Sequence, residues 1–124
     1  MCVNLFGKLF GSKPKVNPVH IETRADFQQE VLKSNLPVIV DVWGPSCPPC
    51  KKLVPVLINV ATKYDGRVRV AELSTEAEPR LLAQLNVRST PTLLVFSQGK
   101  ELGRMSGYRP EGWFDEMIEA EFPE

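Results

Sequence analysis

Residues 38–52, VIVDVWGPSCPPCKK, constrain the rest of the chain more than any other stretch. Val38, Ile39, Val40, Val42 and Trp43 make a near-continuous apolar and mostly β-branched run, the pattern of a strand buried on both faces. Gly44, Pro45 and Ser46 break that strand, and Cys47 and Cys50, two residues apart, stand where a helical pattern begins. The cysteines therefore lie where a central strand hands over to a helix N-terminus. Such a terminus carries unpaired N–H groups and the positive end of the helix dipole, and both favour a thiolate over a thiol. The thiolate is the nucleophile of sulfur chemistry. Two thiols one helical turn apart can also close into a disulfide. A thiol that attacks and a thiol that resolves, on one rigid element, make a thiol–disulfide exchange site.

Asp41 interrupts the apolar run. A lone buried carboxylate is costly, and desolvation raises its pKa. It reads either as a strand-end residue reaching water or as a proton acceptor or donor for a nearby thiol.

The 124 residues suffice for one domain with a core of its own, and 43% hydrophobic with 24% charged residues is ordinary for a globular protein. The 15 Lys and Arg residues balance 15 Asp and Glu, which argues against a nucleic-acid binder driven by phosphate contacts. No apolar run approaches the length of a membrane span. Three cysteines (Cys2, Cys47 and Cys50) are too few, and odd in number, for a disulfide-stapled secreted scaffold. C-x-x-C then points to redox or metal chemistry. A structural zinc site wants four ligands, and the remaining candidates are Cys2 and the single histidine, His20, so no metal is expected. Residues 1–5 lack a basic n-region and Lys8 interrupts the apolar stretch, so no secretory signal is read and a cytoplasmic location is expected.

Glycines and prolines mark residues 1–17 as an extension, with residues 18–124 as the domain. Leu5, Phe6, Leu9 and Phe10 would share one face of a short helix, so residues 3–10 read as a loose tail or as a segment that associates with a membrane surface or partner. A short strand is predicted at Val19–Ile21. A helix capped by Thr23 should bury Phe27, Val31 and Leu32 and end at Asn35 and Pro37. The helix over residues 47–63 should bend at Pro55. A strand over 68–73, a helix over 78–85, a strand over 92–96, a Gln98-Gly99 turn, a strand over 101–106 and a closing amphipathic helix over 111–122 complete the order β-α-β-α-β-α-β-β-α. Alternating elements imply an α/β fold: a central mixed sheet of four to five strands with helices on both faces.

Asp41 in the central strand, Trp43 after it, Cys47 and Cys50, Pro55 in the following helix, and Thr90-Pro91-Thr92 before an apolar strand appear in one order, with Gly99 and Gly107 behind them. In that combination the chain resembles the thioredoxin family over residues 18–122. The resemblance implies the thioredoxin fold and a cis peptide bond before Pro91 that leaves the Thr90 backbone free to pair with an extended substrate. It implies Cys47 as attacking thiolate, Cys50 as resolving thiol, a Cys47–Cys50 disulfide in the oxidised form, and Asp41 as the group that takes or returns the Cys50 proton. Trp43, Gly44, Pro45, Ser46, Pro48, Pro49, Thr90, Pro91 and Gly107 shape the site. The implied activity is reduction of protein disulfides by a monomer without a bound cofactor, recharged by a thioredoxin-reductase-like electron donor.

The chain departs from the common W-C-G-P-C motif of that family. Ser46 removes a flat aromatic surface, and Pro48 removes a backbone N–H and stiffens the loop. Glu72 stands where many thioredoxins carry Lys; beside Asp41 it would make a coupled carboxylate pair with one pKa raised, and otherwise it is a solvent-facing edge residue. Two alternatives follow: an oxidase or isomerase of the same fold, distinguished by reduction potential, and a redox-sensing interaction module with a dedicated partner, distinguished by failure to turn over insulin.

Overall fold

The computed structural model describes residues 13–124. Its five strands are β1 (Val19–Ile21), β2 (Val38–Trp43), β3 (Arg69–Ser74), β4 (Thr92–Ser97) and β5 (Lys100–Ser106), in one sheet of order β1-β3-β2-β4-β5. β3 runs parallel to both β1 and β2, while β4 runs antiparallel to β2 and to β5. The helices are α1 (Arg24–Phe27, running on as a π-helical stretch Gln28–Leu32), α2 (Pro48–Lys63), α3 (Pro79–Leu85) and α4 (Glu111–Glu121). The amphipathic reading of residues 3–10 and any role of Cys2 lie outside the described residues.

The pleat of β2 divides the core in two. Val38, Val40 and Val42 face a cluster that holds Phe27 and Val31 of α1 and Leu81 and Leu85 of α3. Ile39 faces the other way, toward Leu53, Leu57 and Val60 of α2 and Phe114 and Ile118 of α4. A strand alternates faces with period two, so Asp41 and Trp43 follow Ile39 onto the α2 side. The buried carboxylate is thus aimed by backbone geometry at the helix that carries the cysteines.

Several elements start or end away from their expected bounds, for local reasons. Thr23 caps α1 through its hydroxyl and Asp26 returns the bond, a reciprocal capping box. That helix ends at Leu32 rather than Asn35, because Lys33 N–H reaches back to the Gln28 carbonyl (2.9 Å) and Ser34 closes a local turn with Leu36. α2 runs unbroken through Pro55; the bond Pro55 cannot donate would have gone to the Lys51 carbonyl. Val68 N–H is taken by the Tyr64 carbonyl (2.9 Å), which starts β3 one residue late. Gln98 and Gly99 both have positive φ, 52° and 80°, the geometry of a two-residue hairpin turn. Lys63 Nζ pairs with Glu111 (2.7 Å) and Asp115 (3.0 Å), and Tyr64 Oη donates to Asp115 (2.6 Å), which ties the end of α2 to α4.

Candidate active site

Between β2 and α2 the chain turns through Gly44, Pro45 and Ser46. Ser46 takes a left-handed φ of 57°, a conformation that L side chains adopt at a cost. Cys47 follows in extended conformation as the N-cap of α2, with Pro48 and Pro49 filling the first helical positions. Proline fits there because its φ is already helical and no N–H is needed. The consequence is a helix N-terminus with few donors. Two amides are absent, and the Cys50 N–H is the donor that reaches the Cys47 sulfur, at 3.3 Å. The two sulfurs are at disulfide distance, with Cα atoms 5.2 Å apart. Cys47 is 8% exposed and Cys50 3%, so Cys47 is the more accessible residue of the pair.

A second segment meets this turn. The Thr90–Pro91 peptide is cis. A side chain on Gly44 would place its first carbon 3.3 Å from Thr90 Oγ1 and 3.5 Å from Thr75 Oγ1, so the bare backbone of residue 44 lets the loop close down on Thr90. The Pro91 carbonyl accepts the Gly107 N–H (2.8 Å), and Gly107 has a φ of 95° that suits glycine. Thr92 Oγ1 donates to the Ser89 carbonyl (2.6 Å). Among the described residues the Thr90 backbone makes no hydrogen bond, while the residue is only half-buried.

Asp41 lies behind the cysteines. It is 3% exposed, and its Oδ1 finds no hydrogen-bond partner among the described residues. Burial, and then the charge of Glu72, push its pKa up to about 7. Asp41, Cys50, Trp43 and Glu72 line one cavity of about 380 Å³, bordered outward by Lys51 and the exposed Val54.

Glu72 is not on an edge. β3 lies between β1 and β2, and the register sets Glu72 opposite Asp41 on one side and His20 on the other. One Glu72 oxygen accepts Trp43 Nε1–H at 2.6 Å, and the other accepts His20 Nδ1–H at 2.7 Å. Those bonds, chiefly the one to Glu72 and then one to Glu22, raise the His20 pKa. The sequence alone offers His20 only as a stray metal-ligand candidate. The only available signal was a polar residue between two apolar ones in a three-residue strand. Among the described residues no cluster of three or more His, Cys, Asp or Glu side chains could hold a metal ion, and no helix is long and apolar enough to cross a membrane.

Comparison with known proteins identifies the family. The thioredoxin family model matches residues 18–120. Thioredoxin 1 of Nostoc sp. is 36% identical over 97 residues, covering 78% of this chain and 91% of that protein. Thioredoxin 1 of Synechococcus elongatus is 39% identical over 89 residues, covering 72% and 83%. The chloroplastic M-type thioredoxin of Spinacia oleracea is 37% identical over 95 residues, covering 77% of this chain and 52% of that protein.

Proposed function

The chain belongs to the thioredoxin family and is a thiol–disulfide oxidoreductase; on that premise we propose that it reduces protein disulfides through Cys47 and Cys50, with Asp41 moving the proton. The Cys47 thiolate attacks one sulfur of a substrate disulfide. The substrate S–S bond breaks, one substrate thiolate leaves and takes a proton from solvent, and a mixed disulfide joins Cys47 to the other sulfur. Cys50 S–H then gives its proton to the Asp41 carboxylate. The Cys50 thiolate attacks Cys47, the Cys47–Cys50 bond forms, and the second substrate thiolate departs. The substrate gains two electrons and the cysteine pair loses them.

The observation that carries this reading is the shared cavity of Asp41 and Cys50, with Asp41 half-ionised near neutral pH. A base whose pKa lies near the working pH is both available and strong enough to accept a proton. Cys47, the more exposed residue of the pair, whose sulfur accepts the Cys50 N–H at the α2 N-terminus, fits the role of nucleophile. The uncommitted Thr90 backbone supports docking of an extended substrate segment by strand addition, with little demand on substrate side chains. Trp43, Pro45, Ser46, Pro48 and Pro49 frame the approach. Residues 18–124 are the catalytic domain in this reading, working as a cytoplasmic monomer, with 1–17 an extension and a thioredoxin-reductase-like protein as electron source.

Insulin reduction with dithiothreitol tests the assignment. Wild type should turn over, Cys47→Ser should lose all activity, and Cys50→Ser should accumulate a mixed disulfide on Cys47. Turnover by Cys47→Ser, or a trapped adduct on Cys50, overturns it.

A further inference from the structure

We propose that His20, acting through Glu72, sets the protonation of Asp41 and so tunes the exchange reaction from outside the cavity. His20 and Glu72 are positioning residues in this scheme. The inference rests on the acid–base role of Asp41 argued above.

The placement comes from the sheet. β1, β3 and β2 lie side by side, and His20, Glu72 and Asp41 are register partners in one row across them. Partners in adjacent strands lie about 5 Å apart and point to the same face. The row runs from a solvent-accessible imidazole, with 56% of its side chain exposed, through a mostly covered carboxylate to a buried acid. Glu72 cannot swing away, because Trp43 Nε1–H and His20 Nδ1–H hold its two oxygens at 2.6 and 2.7 Å. Its negative charge is therefore fixed beside Asp41, where it opposes a second negative charge.

Of the groups facing Asp41, β3 contributes Glu72, and through it β1 and the following turn contribute His20 and Glu22. α2 contributes Cys50 and, at the cavity mouth, Lys51. β4 presents Leu93 in register with Asp41, and no charge. Asp26 of α1 feels His20 from beyond Glu22. His20 is the exposed member whose charge can change with pH, its pKa raised first by the bond to Glu72 and then by that to Glu22. When protonated it cancels part of the Glu72 field, and Asp41 gives up its proton more readily. When neutral it leaves the Glu72 field at full strength, and Asp41 holds its proton.

The test follows the Asp41 carboxyl carbon by NMR across pH in the full chain, alongside the pH profile of insulin reduction. Glu72→Gln keeps the acceptor for Trp43 but removes the charge, and should lower the Asp41 midpoint by roughly one pH unit. His20→Gln keeps a donor without a titrating charge, and should raise the midpoint. His20→Lys restores a fixed positive charge and should bring it back down. In the Glu72→Gln background His20→Gln should shift the midpoint less, since the Glu72 carboxylate that holds the imidazole in place and raises its pKa is gone. Equal His20→Gln shifts with and without Glu72, or an Asp41 midpoint common to all variants, overturns the proposal. If instead the midpoint moves as expected while the rate profile ignores it, the coupling through Glu72 stands and the acid–base role of Asp41 is what fails.

Discussion

Asp41 occupies a position that alternation along β2 assigns to the core, and the fold bears the cost whenever that acid ionises. Its pKa rises from 3.8 to about 7, so the folded state holds a proton that the unfolded chain has already released. The stability this group lends is complete below the ordinary carboxylate range and is lost as pH climbs through about 7. At about 1.4 kcal/mol per pH unit the loss is on the order of 4 kcal/mol. Asp41→Asn, which cannot ionise, should exceed wild type in urea unfolding by about 2 kcal/mol at pH 5 and by about 4 kcal/mol at pH 8. Equal stabilities at pH 8 would contradict burial as the cause. The same substitution should slow insulin reduction at neutral pH, a direct trade of stability against chemistry at one side chain.

At the scale of elements, the N-terminus of α2 is defined by what its prolines withhold. Pro49→Ala would add an N–H at the second helical position, where a Cys47 thiolate at the N-cap can accept it, and so stabilise the reduced form. A hydrogen bond of about 0.5–1.5 kcal/mol corresponds to roughly 10–30 mV, and the potential should rise by that much against a glutathione buffer. A fall would show that loop stiffness, and not donor count, governs the couple. How far these elements could be read beforehand follows from how local their causes are. The β2–turn–α2 unit was legible because its apolar run, its Gly-Pro break and its helix start are consecutive in the chain. The cap at Thr23 and the Gln98-Gly99 hairpin were legible for the same reason. The cis bond at Pro91 came through family resemblance and not through propensity. The π-helical end of α1 depends on a Lys33–Gln28 bond that no periodicity announces. The row of His20, Glu72 and Asp41 depends on the register of three strands far apart in sequence, so Glu72 could be suspected and His20 could not.

On the scale of the whole molecule, the sheet separates two cores that share its strands. Phe114 is fully buried on the α2 and α4 face. Phe114→Ala should lower stability by about 3–5 kcal/mol in urea unfolding and leave the Cys47–Cys50 potential unchanged, since α4 does not form the turn that carries the cysteines. A shifted potential would mean that packing under α4 reaches the disulfide. The outermost strands carry a further consequence. β1 is three residues long, and β5 lies exposed with Lys100, Glu101 and Arg104 along it and a register shift at Val95/Phe96 in its ladder with β4. Short, charged or distorted borders make poor templates for a passing polypeptide. A protein that exchanges disulfides with other chains meets many half-folded ones, and each is a chance to seed a fibril. With both borders blunted, an extended visitor finds little there to pair with, which leaves the docking beside Thr90 proposed above as the productive contact.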